Sequence, residues 1–271
     1  MTMDASVTHG SLKFAISGAK NCSITQGLAD SGEFYELDFL ESLRQHVSRG
    51  DWVIDGGAHI GNHSIFMAGV LSLNVLAFEP HPETFAQLRA NLEANGLSNP
   101  VRTINRALDE TARSVVLTPN SRGDMGSFSI ANPRNDVSVS VKSVALDDYL
   151  DYFEGKRLAL IKLDVERAEL RVLRGARRML RTYKPVVAVE AQDVKDFEAI
   201  MHYMVGLGYL PVAVHNATPT LTFVPERTKV GERELGEILS YAIAKTGALN
   251  SLSRPKPAEE DAKVEVSDET A

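Results

Sequence analysis

Three carboxylates close apolar, β-branched runs in this sequence, and each stands where a parallel strand would hand over to a loop: Asp55, Glu79 and Asp164. The first follows Trp52-Val53-Ile54 and leads into Gly56-Gly57-Ala58-His59-Ile60-Gly61-Asn62. A strand, a glycine turn and a helix N-terminus together bring bare backbone N–H groups up against a ligand. The spacing is Asp-x-Gly-x-x-x-Gly, from Asp55 through Gly57 to Gly61. A dinucleotide fingerprint needs Gly-x-Gly-x-x-Gly, and its middle glycine is Ala58 here. Asp55 on the strand end would also repel a pyrophosphate while accepting hydrogen bonds from an ammonium or a hydroxyl. The loop favours a nucleoside with a cationic arm over a dinucleotide.

Glu79 ends Val75-Leu76-Ala77-Phe78, 24 positions after Asp55, and precedes Pro80-His81-Pro82. A carboxylate at the end of the second strand, roughly 20 residues past the glycine loop, is where such folds bind two ribose hydroxyls. The competing reading is a cap on the helix that follows. S-adenosylmethionine fits a nucleoside with a cationic arm. The segments Asp55–Asn62, Phe78–Pro82, Asn95-Gly96-Leu97 and Ile161-Lys162-Leu163-Asp164-Val165-Glu166-Arg167-Ala168-Glu169 resemble the FkbM-type S-adenosylmethionine-dependent methyltransferases over roughly residues 33 to 191. The resemblance implies a Rossmann-like class I methyltransferase fold, S-adenosylmethionine as cofactor, and O-methylation of a hydroxyl on a sugar, glycan or natural product. Cofactor contacts are expected at Asp55, Gly57, Ala58, Gly61, Asn62, Glu79, Pro80, Asp164 and, at the end of the third strand, Arg106 and Ala107. One position departs from the family pattern, which has Gly where this chain has Arg167.

Methyl transfer to an alcohol requires exclusion of water, alignment of acceptor and methyl at about 3 Å, and removal of a proton. Asp164 is the first candidate to face the methionine ammonium or the acceptor; the alternative is a cap on the next helix, with Glu166 and Glu169 favoured by its dipole. Glu190 ends the following strand, where it could pair with Asp164, and two such groups could hold a divalent cation that acidifies a hydroxyl. His215, between the last two strands, titrates near neutral pH and is a third catalytic candidate, against a plain surface role. His59 and His63 lie four apart without a third ligand and read as incidental to metal. Phe34-Tyr35-Glu36 could cover the cofactor, or Phe34 could be core. Two other classes stay open: a nucleotide-dependent oxidoreductase or sugar-nucleotide enzyme, and a non-catalytic module binding a nucleoside or a protein.

These groups need a scaffold of alternating strands and helices. Strands are expected at 51–55, 75–78, 101–108, 158–165 and 185–191, with helices at 60–71, 82–95, 169–183 and 194–207 between them. That alternation indicates an α/β, mostly parallel, doubly wound sheet. Two final strands, 209–214 and 220–224, read as a hairpin supplying an antiparallel edge strand. Residues 109 to 146 read as a β excursion before the fourth core strand, with a loop from Pro119 to Asn135. Before the main domain (33–250), residues 1 to 10 read as a loose arm, followed by short strands at 12–16 and 22–25. A helix is expected at 232–245 and a disordered tail at 251–271.

The chain has 271 residues, 44% of them apolar, enough for one large core. A net charge of −7 argues against a nucleic-acid surface. The arginines at 167, 171, 174, 177, 178 and 181 recur at helical spacing and read as a solvated face. A single cysteine, Cys22, excludes an intramolecular disulfide and suits a reducing cytoplasm. No apolar run is long enough to span a membrane. The expected partner is a small-molecule or glycan acceptor; a homodimer is left open.

Overall fold

In a computed structural model of the chain, residues 2–119, 128–130, 138–226, 240 and 244 are described. The expected tail, most of the helix at 232–245 and most of the loop at 119–135 lie outside them. The elements in chain order are β1 (Thr2–His9), β2 (Leu12–Ala19), α1 (Ser23–Ser31), α2 (Leu37–Ser42), β3 (Trp52–Gly56), α3 (Asn62–Ile65), β4 (Asn74–Phe78), α4 (Pro82–Ala94), β5 (Val101–Ile104), β6 (Ala107–Leu108), β7 (Ser114–Pro119), β8 (Phe128–Ile130), β9 (Val139–Val144), β10 (Leu158–Leu163), α5 (Glu169–Gly175), α6 (Arg177–Tyr183), β11 (Val186–Glu190), α7 (Val194–Gly206), β12 (Tyr209–His215) and β13 (Thr220–Pro225). A π-helical turn, Phe66–Val70, continues α3.

Seven strands form the main sheet in the order β12-β13-β11-β10-β3-β4-β5. Its centre is parallel, and every residue of β10 is buried, as expected of a strand covered on both faces. Alternation divides the apolar residues between two cores. Val53, Val75, Ala77, Leu160 and Ala188 pack with α1–α4 and the β1–β2 hairpin, whereas Ile54, Leu76, Phe78, Ile161, Val187 and Val189 pack with α5–α7. The fold is the expected α/β architecture. β13 runs antiparallel to β11 and β12 and inserts between them, so the outermost strand is β12. A second sheet, β6-β9-β7-β8, is the β excursion. Among the described residues no helix is long and apolar enough to cross a membrane.

Four local expectations are corrected. Residues 2–9 are not a loose arm: they pair along their whole length with β2, burying Ala5 and Val7 against Phe14 and Ile16. Residues 22–25 open α1, which Gly32 ends in the left-handed conformation. The third strand stops at Ile104, because the Asn105 amide turns back to donate to the Glu79 and Pro80 carbonyls. The helix at 169–183 is two helices. Gly175 lies so close to Asp109 and Glu110 that a Cβ would come within 2.5 Å of a carbonyl oxygen, and Asp147 caps the new N-terminus at the Arg178 and Met179 N–H groups.

The chain leaves β3 towards β4 and β5 on one side, then returns to β10 and β11 on the other. The order therefore reverses between β3 and β10. In an open α/β sheet the ligand crevice lies outside the carboxyl ends of the strands at that switch point.

Candidate functional site

Gly57 sits at the switch point. Gly56 pairs with Leu163, so the turn after β3 abuts the loop after β10, and a Cβ on Gly57 would stand 1.8 Å from the Asp164 carbonyl oxygen. Its φ of +78° also favours glycine. Gly61, at φ +99°, completes the reversal into α3. Four of the turn's N–H groups are committed: Gly57 and Ala58 donate to the Phe78 carbonyl at 3.0 and 2.9 Å, Gly61 to Ala58 at 2.9 Å, and His59 to Glu79 Oε2 at 3.0 Å. Those four members of the expected N–H cradle are thus bonded within the protein. What the turn delivers to the crevice is the Glu79 carboxylate.

Both Glu79 oxygens accept backbone N–H bonds, Oε2 from His59 and Oε1 from His81 at 2.8 Å. The helix-cap alternative does not hold, because His81 itself caps α4 by accepting from the Thr84 N–H. Burial pushes the Glu79 carboxyl up to about 7, against the pull of these two bonds. A cleft of about 690 Å³, counting its open mouth, is lined by Gly57, Glu79, Pro80, Arg106, Ala107 and Asp164 among the expected residues, with Phe78, Leu108 and Leu117 as an apolar wall. Arg106 and Ala107 arrive there on the irregular link from β5 into β6, with the Arg106 guanidinium donating to the Asn105 carbonyl.

Asp55 is fully buried and does not line the cleft. Its Oδ2 accepts from the Ser64 hydroxyl at 2.7 Å, and its Oδ1 lies 3.3 Å from Lys162 Nζ. Lys162, 4% exposed, also donates to the Gly57 carbonyl at 3.3 Å and stands 3.7 Å from Asp164 Oδ2. Burial alone would lower its pKa; the charges of Asp55, Asp164 and Glu36 reverse that and raise it. Lys162 was not singled out as a site residue. Its signal was a lone charge inside Leu158–Leu163, an otherwise apolar strand.

Asp164 and Glu190 meet across β10 and β11, as the pairing of Leu163 with Val189 requires. Their carboxyl oxygens come within 4.8 Å of each other. Burial and the Asp164 charge raise the Glu190 pKa well above the carboxylate range; Asp164 is itself pushed up by burial, but the Lys162 charge brings it below its ordinary value. Glu169 brings a third carboxylate, all three offering oxygens within 4.8 Å of one another. Such a spacing can suit a divalent ion. Here Lys162 supplies positive charge from within the protein, Glu169 accepts from the Val165 N–H at 2.9 Å, and Glu190 accepts from Gln192 at 2.5 Å.

Burial pushes Glu169 up to about 8. A carboxyl raised in the folded state leaves stability intact below its unfolded value and removes it as pH climbs towards the folded value. Glu169→Gln is therefore expected to match the parent near its unfolded value of 4.5 and to be more stable by a few kcal/mol near pH 8, at about 1.4 kcal/mol per pKa unit. Urea unfolding of both proteins across that range checks this; a gap independent of pH would refute it.

The remaining candidates have other duties. Asn62 is bound at both ends of its amide, accepting from the Tyr35 N–H at 3.1 Å and donating to the Tyr35 carbonyl at 2.9 Å. It fixes residues 33–36 onto the glycine turn. Phe34 is core, set against Phe14 and Phe66, and Ala58 is buried in the same cluster. His63 lies 3.3 Å from Glu36. His215 packs on Phe39 at 5.8 Å and borders a separate depression with Tyr35 and Glu36, outside the cleft. Arg167 adopts φ +73°, which accounts for glycine in the family pattern, and its guanidinium lies 3.0 Å from Asp193. Arg171 pairs with buried Asp109, so the arginine face is not wholly solvated.

The family described as Methyltransferase FkbM domain matches residues 55–211, more than half of the chain. The chain is 28% identical over 165 residues to the hexuronic acid methyltransferase AglP of Haloferax volcanii, covering 59% of this chain and 66% of that protein. It is 31% identical over 156 residues to the methyltransferase sdnD of Sordaria araneosa, covering 46% and 60%. It spans less than two thirds of the length of these curated relatives. Among solved structures, an FkbM methyltransferase from Methylobacillus flagellatus aligns with a TM-score of 0.49 and 17% identity, covering 74% of this chain and 63% of that one.

Proposed function

The chain belongs to the FkbM methyltransferase family, and on that premise we propose that it transfers the methyl group of S-adenosylmethionine to a hydroxyl of a sugar, glycan or natural-product small molecule. The observation that carries this reading is the Glu79 carboxylate, held by two backbone N–H groups and lining the cleft. A carboxylate so fixed suits the two hydroxyls of a ribose. Phe78, Leu108 and Leu117 would hold the base, and Asp164 faces the end where a cationic arm would lie. When bound, S-adenosylmethionine supplies a sulfonium methyl open to attack. Asp164, with 36% of its side chain exposed, would orient the acceptor hydroxyl beside it. A relative named for hexuronic acid favours a carbohydrate acceptor.

Calorimetric titration with S-adenosylmethionine and with NAD tests the cofactor, and labelled methyl transfer into a fractionated metabolite extract tests the acceptor. Binding of NAD alone would overturn the reading. Glu79→Ala removes charge-assisted hydrogen bonds of about 1.5–3 kcal/mol each. Cofactor affinity is expected to drop at least about tenfold, since roughly 1.4 kcal/mol is a factor of ten. In the parent protein affinity should also weaken as pH falls through about 7, where Glu79 takes up a proton.

A further inference from the structure

We propose that the depression beside the cleft is the acceptor subsite, and that it takes a sugar ring free of carboxylate and phosphate, stacked on Tyr35. Tyr35, Glu36, His215 and Asn216 line this depression, with Glu33 and Asp38 also on its wall. It is tied to the crevice from two sides. On one, the Tyr35 backbone N–H and carbonyl are both bonded to the Asn62 amide, directly after Gly61 of the glycine turn, and Glu36 stands 3.3 Å from His63 of α3. The Glu36 charge also reaches Lys162, which stands 3.7 Å from Asp164. On the other side, Glu190 pairs with Thr220, Thr220 pairs with His215, and the Ala191 N–H donates to the Pro219 carbonyl at 2.9 Å. The depression is therefore bounded by segments fixed to the carboxyl ends of β3 and β12, and Asp164 and Glu190 follow the strands between them.

The chemistry of the wall selects the ligand class. Among the described residues the large apolar side chains that stay exposed are Leu12, Tyr35 and Val205, and of these only Tyr35, at 41%, is aromatic. Its backbone is held at both polar atoms, and its ring rests against α1, where a Cβ on Gly27 would stand 3.5 Å from Cδ2. A ring so fixed loses little freedom on binding and offers a flat apolar surface to the C–H face of a pyranose. Around it stand carboxylates, an amide and an imidazole, groups that match sugar hydroxyls as acceptors and donors. Glu33, Glu36 and Asp38 bring negative charge, and among the described residues no Lys or Arg lines the depression. His63 is engaged by Glu36, Lys162 by Asp55 and Asp164, and His215, packed on Phe39, is a single titratable cation against three carboxylates. A uronate or a sugar phosphate would meet like charge there and no guanidinium to pair with. A neutral hexose avoids that repulsion, and an amino sugar gains a counter-charge.

The acceptor role rests on the methyltransferase reading, and sugar binding is tested apart from it. The isotope-labelled full chain is titrated by NMR with the methyl glycosides of glucose, galactose, mannose, rhamnose, glucosamine and glucuronic acid, alone and saturated with S-adenosylhomocysteine. Amides of residues 33–38 and 214–216 are expected to shift with at least one neutral or amino glycoside. The glucuronide should bind at least about threefold more weakly than that glycoside at low ionic strength. Tyr35→Ala should weaken the glycoside about tenfold. Tyr35→Phe keeps the ring and should hold its affinity within about twofold. Both variants should bind S-adenosylhomocysteine as the parent does. Glu33→Gln combined with Asp38→Asn, both exposed, should narrow the gap to the glucuronide. If no glycoside shifts these amides, the subsite is wrong. A glucuronide bound as tightly as the others overturns the charge selection, and unchanged affinity in Tyr35→Ala overturns the stacking. Failure to bind S-adenosylhomocysteine refutes the methyltransferase reading, whereas titration of the unliganded chain still decides the sugar site.

Discussion

Gly57→Ala is expected to destabilise the protein by about 3 kcal/mol and to abolish measurable cofactor binding. Two costs add at this position. A β-carbon at φ +78° carries left-handed strain of about 1–2 kcal/mol. The same carbon would stand 1.8 Å from the Asp164 carbonyl oxygen, a backbone atom that moves only if the β10 loop moves, and overpacking of that kind costs about 1–3 kcal/mol. Displacing that loop carries Asp164 away from Glu79, so binding falls further than stability does. Gly96→Ala separates the two costs, because Gly96 has φ +68° and nothing within 4 Å of its Cβ position. Thermal unfolding should show a loss for Gly57→Ala at least twice that for Gly96→Ala, and only Gly57→Ala should lose cofactor in calorimetry. Equal losses would mean that the clash is relieved elsewhere.

Lys162→Met should be as severe for a different reason. It leaves Asp55, fully buried, with the Ser64 hydroxyl as its remaining hydrogen-bond partner. Breaking one side of a buried ion pair costs about 3–5 kcal/mol, whereas replacing both sides by neutral groups is often nearly neutral. Lys162→Met combined with Asp55→Asn is therefore expected to recover most of the stability lost by Lys162→Met alone. Turnover should not recover, because Asp164 would still lack its cation. Urea titration of the two single variants and the double variant forms the cycle that tests this; additive losses would show that Lys162 and Asp55 do not depend on each other.

The sheet was legible because parallel strands buried on both faces leave an unambiguous trace: Val53-Ile54, Val75–Phe78 and Leu158–Ile161 are continuous apolar runs. Glu79 was legible for the same reason, as the first polar residue past such a run. The hairpin at the N-terminus was not, because its inward residues in β1 are Ala5 and Val7, too small to stand out against Ser6 and Thr8. Asp55 and Asn62 occupy family positions, yet their roles depend on partners distant in sequence: Lys162 for one and Tyr35 for the other. The turn's N–H groups could not be assigned either, since Phe78 claims two of them only once β3 and β4 lie side by side.

The pairing of β3 with β10 joins residues more than 100 positions apart, such as Asp55 with Lys162. Closing a loop of that length costs roughly 4 kcal/mol in chain entropy before any contact returns it. Parallel pairings of such separation form slowly. The hairpin and the β3–β4 unit can form from local contacts, but the cleft has no Asp164 and no Lys162 until β10 arrives. A chain growing from its N-terminus therefore passes through a long interval in which half of the sheet exists and the cofactor cannot stabilise it. During that interval the open edge of β3 presents Trp52–Gly56 unpaired on one side. That exposed edge makes the nascent protein vulnerable to strand-to-strand association with other chains, and makes it depend on prompt synthesis of residues 158–163.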